Sequence, residues 1–383
     1  MVGIIESTLR EGAQAPGGYL DLDQKTEILA ELDRIGIEEV EIGPVSAPDQ
    51  NLPRLVAHVR RRIPRLRLSG WCRGLRGDVE AACALEVDVV AFCVPVSELH
   101  LRYRLRRTPD WAVQQVMRLT ADARRLGADR VSVGLEDVTR ADPEVLDRVV
   151  RAAAAAGVDR IRLADTVGVA TPGTMAGLVR HCRAEFDGEV AVHTHNDFGM
   201  ATANAISAMD AGADLVDTSL LGLGERAGIA RTEEVCAYLA VTHGSRYRLS
   251  ELRHLCHRVA GWIDRPVPAD SPVIGERLFV CESGLHVDGL AKDPRTYQPY
   301  PPGLVGAVQG IRLGRITGRN AVDAVLRTRG LTVSPERIVE ITSSVRAIAN
   351  RQGRPLTDQE VLAVADGHHR EAMVPETGDR YRS

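Results

Sequence analysis

Short apolar runs rich in β-branched residues alternate with amphipathic stretches along the first two thirds of the chain. The period is about 25–35 residues, the spacing of a strand plus a crossover helix. The runs predict strands over 3–8, 38–42, 66–70, 87–94, 130–135, 159–164, 189–194 and 214–219, and helices between them include 21–35, 111–126, 143–156, 171–186 and 199–211. Asp142-Pro143 and Thr171-Pro172 are helix-start signals, an oxygen-bearing cap followed by proline in the first turn. Near-continuous apolar strands separated by helices mean a parallel sheet covered on its outer side.

Eight such units predict an α/β fold of the closed (β/α)8 (TIM) barrel type. A doubly wound sheet is the alternative, yet no run is followed by G-x-G-x-x-G. Polar residues decide between the two. Arg10-Glu11, Glu136, Asp165-Thr166, His193, His195 and Glu225-Arg226 all fall at or just past the C-terminal ends of runs, where barrel enzymes assemble their sites. After about residue 245 the pattern changes. Arg265-Pro266-Val267-Pro268 and Tyr297-Gln298-Pro299-Tyr300-Pro301-Pro302 are irregular, and helices are expected over 320–328, 335–351 and 357–365. The expected division is a catalytic barrel over 1–245 and a linker with smaller, mainly helical C-terminal subdomains over 246–383, ending in a frayed polar tail with a solvated His368-His369 pair.

The net charge of −4 argues against nucleic acid or an anionic membrane as the main partner. No run approaches the roughly 18 apolar residues of a membrane span, and the N-terminus enters a strand with no cationic leader. Seven scattered cysteines with no C-x-x-C pair are expected as reduced, cytoplasmic thiols, Cys72 and Cys93 being core or pocket-wall residues.

The sharpest local signal is His193-Thr194-His195-Asn196-Asp197. Residues i and i+2 of a strand share a face, so both imidazoles can reach one point. Two histidines and a carboxylate suit a divalent metal with open positions. H-x-H alone is also compatible with a packed, hydrogen-bonded pair. Glu11, after the first strand, is well placed to supply the carboxylate.

Ser7-Thr8-Leu9-Arg10-Glu11-Gly12 followed by Gln14 resembles the opening motif of the DRE-TIM metallolyase superfamily, with glutamate as in its homocitrate synthase branch. The run from His193 to Asn204 and Gly222-Leu223-Gly224-Glu225-Arg226-Ala227-Gly228 resemble its second and third signatures. Glu282-Ser283-Gly284-Leu285-His286 and Asp293-Pro294-Arg295-Thr296-Tyr297 continue the likeness beyond the barrel. The resemblance implies that Glu11, His193 and His195 hold a divalent metal (Mg, Mn, Zn or Co) acting as a Lewis acid on a 2-oxo acid carbonyl. It implies that Arg10 stabilises the charge developing on that oxygen. Thr166, Gln14 and Ser132 are implied substrate contacts, and Glu136 orients substrate or relays protons. His286 and Tyr297 form an implied catalytic pair that reaches a neighbouring subunit's barrel in a homodimer, His286 serving as base or relay toward the acetyl methyl of acetyl-CoA.

The expected reaction is Claisen-type condensation of acetyl-CoA with a 2-oxo acid. The sequence resembles homocitrate synthases most, which makes 2-oxoglutarate the favoured acid. Three departures bear on specificity: Ala13 replaces a second glutamate of the opening motif, Cys281 a common histidine, and Ser132 the arginine that lysine-pathway enzymes use for the distal carboxylate. A neutral Ala13 reduces repulsion toward a doubly charged phosphonate, so phosphonopyruvate is the alternative acid and 2-phosphonomethylmalate its product. A metal-dependent aldolase or lyase is the alternative class, disfavoured by the His286–Tyr297 region. The chain is too short for the leucine-type regulatory domain of full-length isopropylmalate synthases.

Overall fold

The computed structural model describes residues 2–45 and 51–367; the expected polar tail, with His368 and His369, lies outside them. All eight apolar runs become strands: β1 (Gly3–Glu6), β2 (Glu39–Ile42), β3 (Arg67–Arg73), β4 (Val89–Pro95), β5 (Arg130–Glu136), β6 (Arg160–Asp165), β7 (Glu189–Thr194) and β8 (Leu215–Thr218). Each pairs in parallel with the next, and β1 closes on β8 in the register Gly3↔Leu215 to Glu6↔Thr218. The fold is thus a closed (β/α)8 barrel. The crossover helices are α1 (Leu22–Ile35), α2 (Asn51–Arg62), α3 (Arg76–Ala84), α4 (Pro109–Arg125), α5 (Pro143–Ala155), α6 (Pro172–Arg183), α7 (Ala201–Asp210) and α8 (Thr232–His243). Their starts are chemically marked. Asp142 accepts from the Glu144 amide at 2.8 Å and Thr171 from the Thr174 amide at 3.2 Å, each ahead of a proline in the first turn.

The barrel interior is ionic where many barrels are filled with branched apolar side chains. On β6, Arg160 reaches across to Glu39 of β2 through two parallel bonds of 2.8 and 2.9 Å. Two residues on, Arg162 donates to Glu41 of β2 and, at 2.9 Å, to Asp217 of β8. All five are buried. Burying such charges is tolerable only because each is paired and hydrogen-bonded.

The compact unit that contains the barrel runs to Pro268, past the expected boundary at residue 245. The reason is α9 (Leu249–Trp262), whose buried Leu252, Leu255, Cys256 and Val259 pack with α1 and α8. The second unit, essentially from Gly275 onward, has its own core. There α10 (Gly284–Lys292), α11 (Arg319–Thr328), α12 (Pro335–Gln352) and α13 (Asp358–Ala365) enclose a cluster that includes Val322, Leu326, Ile341, Val345 and Val361. Two short parallel strands, β9 (Val280–Cys281) and β10 (Gly310–Ile311), complete it. Among the described residues no helix is long and apolar enough to cross a membrane.

Candidate metal centre and active site

The chain turns sharply as it leaves β1. The amides of Arg10, Glu11 and Gly12 all converge on the Ser7 carbonyl, at 3.0, 2.7 and 3.2 Å, which directs Arg10 and Glu11 over the barrel mouth. Strand β7 delivers His193, and His195 follows at its end with the same facing. Glu11 Oε2 lies 3.8 Å from His193 Nε2, and Glu11 Oε1 lies 3.6 Å from His195 Nε2. One ligand atom from each residue falls within 4.8 Å of the others, and all three residues are buried.

The histidines are held from behind. His193 Nδ1 lies 2.8 Å from Asp217 Oδ2, and His195 Nδ1 lies 3.0 Å from the Asp165 carbonyl oxygen. A carbonyl only accepts, so Nδ1 of His195 carries the proton and Nε2 presents a bare lone pair toward Glu11. That Nε2 is buried and has no hydrogen-bond partner among the described residues. A buried unsatisfied nitrogen facing a carboxylate and a second imidazole carries a lone pair that a divalent cation would satisfy. The donor set therefore fits a divalent metal.

Burial lowers the His193 pKa against the pull of Asp217, which favours the neutral imidazole that a metal requires. Burial alone would raise Glu11, but the Arg10 guanidinium beside it holds it below the usual carboxylate range. The Glu11 carboxylate accepts from Gln14 Nε2 at 2.7 Å and from the Glu225 amide at 3.0 Å, so Gln14 serves the carboxylate directly. Arg10 ion-pairs with Glu11 and, at 2.6 Å, with Glu41, while its guanidinium lies 5.1 Å from the centre of the Trp71 ring.

The loop after β8 locks onto the β7 loop. Arg226 grips Asp197 at 2.8 and 2.9 Å and the Thr166 carbonyl at 2.9 Å, and the Asn196 amide bonds the Gly228 carbonyl at 2.8 Å. Gly228 has φ of 82°, and a Cβ there would sit 1.7 Å from the Gly222 carbonyl oxygen, so only glycine closes this turn.

The remaining expected residues are distributed unevenly. The Thr166 hydroxyl accepts from the Asp137 amide at 2.8 Å, beside the mouth. Glu136 lines a cavity there and is ion-paired with Arg104. Ser132 is buried deeper, in register with Arg160 and two inward positions below Glu136, and is not in that cavity wall. In the second unit, His286 on α10 stacks at a tilt on Tyr297, their ring centres 4.3 Å apart. Gly289 makes room for this pair, since a Cβ would lie 2.4 Å from Tyr297 Cε2. Burial pushes the Cys93 thiol up to about 12 and Cys72 well above its ordinary value, so both are inert, Cys93 in the cavity wall and Cys72 in the core.

Sequence reasoning missed Asp217, Glu41 and Arg162, a linked group that positions His193 and Arg10. Their signal was present: charged residues at every second place in otherwise apolar strands, as in Arg160-Ile161-Arg162 and Glu39-Val40-Glu41.

A parallel barrel with such a cluster at the C-terminal strand ends has the layout of barrel enzymes. Residues 1–259 match the HMGL-like family, and residues 273–353 match the homocitrate synthase post-HMGL domain-like family. The chain is 37% identical over 365 residues to the homocitrate synthase AksA of Methanopyrus kandleri, covering 94% of this chain and 90% of that relative. It is 34% identical to the (R)-citramalate synthase CimA of Methanocaldococcus jannaschii, covering 95% and 74%. Among solved structures, the HMG-CoA lyase of Bacillus subtilis aligns with a TM-score of 0.63 at 21% identity, covering 71% of this chain and 96% of that one, a likeness of fold. The chain belongs to the DRE-TIM metallolyase superfamily, in its Claisen-condensing, homocitrate synthase-like branch.

Proposed function

We propose that this acetyl-CoA-condensing transferase joins the acetyl group to the carbonyl carbon of a 2-oxo acid, 2-oxoglutarate being the favoured acid and homocitrate the product. The family match across both units supports the reaction class. The observation that carries the chemistry is the bare Nε2 of His195 beside Glu11 and His193, with the Arg10 guanidinium alongside.

A divalent ion held by these three residues would supply Lewis acidity toward a carbonyl oxygen. Arg10 adds fixed positive charge where the carbonyl oxygen becomes anionic, held in place by Glu41 and Trp71. The Thr166 hydroxyl, already accepting a bond, keeps its own proton to donate to the substrate carboxylate. His286, supported by Tyr297, acts as base toward the acetyl methyl group, reaching a neighbouring subunit's barrel in a homodimer. The resulting carbanion attacks the 2-oxo carbon, and water then cleaves the thioester to release CoA.

Phosphonopyruvate is the second reading, favoured by the uncharged Ala13 in the exposed turn beside Glu11. The test is free-CoA release from acetyl-CoA, followed with a thiol reagent in the presence of Mg or Mn. The acids are 2-oxoglutarate, phosphonopyruvate, 2-oxoisovalerate, pyruvate and oxaloacetate. Preference for 2-oxoglutarate supports homocitrate synthesis, and preference for phosphonopyruvate makes Ala13 part of the specificity. Silence with all five would overturn the condensation reading in favour of a lyase.

A further inference from the structure

A cavity of about 560 Å³ opens on the β3–β5 side of the barrel mouth, walled by Trp71, Cys93, Arg104, Arg107, Trp111 and Glu136 among others. It adjoins the metal-type cluster through Trp71, whose ring lies under Arg10. Cys93 of β4, in the same wall, is in register with Arg73 of β3 and Gly134 of β5. The volume is in the range of small-molecule sites.

Two of its cations come from a segment with unusual backbone. Residues Leu99–Leu105 wind as a π-helix and end on Arg106 in the left-handed conformation, φ 54°. Such turns cluster at functional positions because the strain persists only where the surroundings impose it. The segment sets Arg104 and Arg107 on the cavity wall. Arg107 lies over Trp111 at 5.9 Å and, among the described residues, pairs with no carboxylate. Arg104 pairs with Glu136, the one carboxylate among the described lining residues. Arg73, also in the wall, is already engaged by Asp78 at 2.7 and 3.1 Å. Ser132, on the strand position that the family resemblance links to the distal carboxylate, is uncharged and buried below this cavity.

We propose that Arg104 and Arg107 receive the distal anionic group of the 2-oxo acid, and that Glu136 is the exchangeable counter-ion of Arg104 before substrate enters. This deepens the condensation reading and rests on it. Arg104 is half exposed, where an ion pair contributes little, so it can trade the partly buried Glu136 for another carboxylate at small cost. Its planar fork matches a carboxylate or phosphonate through two parallel bonds, and Arg107 adds a second, uncompensated charge. Release from Arg104 frees the Glu136 carboxylate only when a substrate with a distal anion is seated.

The experiment follows tryptophan emission, because Trp71 and Trp111 line the cavity and the third tryptophan, Trp262, is on α9. 2-Oxoglutarate and 2-oxoisovalerate are titrated into the metal-loaded wild type, Arg104→Leu and Arg107→Leu, with Arg104→Lys as the charge-retaining control. Circular dichroism checks that each variant folds. The expected result is at least a tenfold weaker Kd for 2-oxoglutarate in both leucine variants, partly restored in Arg104→Lys. The Kd for 2-oxoisovalerate, which lacks a distal anion, shifts by less than threefold. In turnover, the preference for 2-oxoglutarate over 2-oxoisovalerate falls by the same tenfold. Equal weakening of both acids overturns the proposal, as does a loss confined to acetyl-CoA binding. A wild type that binds 2-oxoglutarate through these arginines yet releases no CoA defeats the condensation reading and leaves the pocket assignment standing. A wild type that condenses only acids without a distal anion does the reverse.

Discussion

The two units bury their interiors in opposite ways. Inside the barrel, Arg10, Glu41, Arg162 and Asp217 form a buried chain of ion pairs that leads to Glu11 and His193. The second unit buries an aliphatic cluster built on α11, α12 and α13. Buried ion pairs add little net stability, because desolvation offsets the attraction, but deleting one partner strands the other. Aliphatic side chains stabilise roughly in proportion to the area they bury and are indifferent to direction. Charges thus position reactive groups in the first unit, and area holds the second together.

The largest effect is expected where the comparison is broken at its centre. Glu11→Ala or His195→Ala should abolish metal-dependent turnover, a loss of about a thousandfold or more, together with stoichiometric metal binding measured by equilibrium dialysis. Near-normal activity in either variant would sink the metal assignment.

A second test uses a buried carboxylate that lacks a direct cation partner. Burial raises Glu233 from its ordinary 4.5 to about 7, whereas Arg10 and Arg162 hold Glu41, equally buried, below the usual range. The folded protein keeps a proton on Glu233 that the unfolded chain loses above about 4.5. Stability from this residue is therefore present at low pH and lost as pH rises from about 4.5 through about 7, by roughly 3 kcal/mol. Denaturant titrations across that window should show the slope shrink in Glu233→Gln; an unchanged slope would contradict the assignment.

Smaller, and specific to geometry, is Asp217→Asn. It keeps the shape but removes the charge facing His193 and Arg162, and metal affinity should fall by about 10–100-fold. Unaltered affinity would mean that the histidine is oriented by other groups. The smallest change is expected from Ile341→Val in the aliphatic core. It should cost about 1 kcal/mol in chemical denaturation and leave metal affinity where it was. A loss of metal affinity there would erase the distinction between the units.

Much of this protein was legible along the chain because the relevant rules are short-ranged. Strand–helix alternation gave all eight barrel strands, since a strand buried on both faces reads as a run of apolar residues. Proline and oxygen-bearing caps marked the starts of α5 and α6. The two-residue spacing of His193 and His195 placed both rings on one face, and the end of the first strand offered Glu11.

Only the tertiary structure decided what depends on closure. The pairs Arg160–Glu39 and Arg162–Glu41 join residues 121 apart and exist because β2 and β6 face each other across the barrel. The Asp217 carboxylate behind His193, the Asp165 carbonyl that leaves His195 Nε2 bare, and the meeting of Arg104 with Glu136 have no local sequence signature. The apolar face of α9 is written in the spacing of Leu252, Leu255, Cys256 and Val259, but its docking in the barrel unit is not. Periodicity reports which face a residue lies on; which partner it meets there is set when the sheet closes.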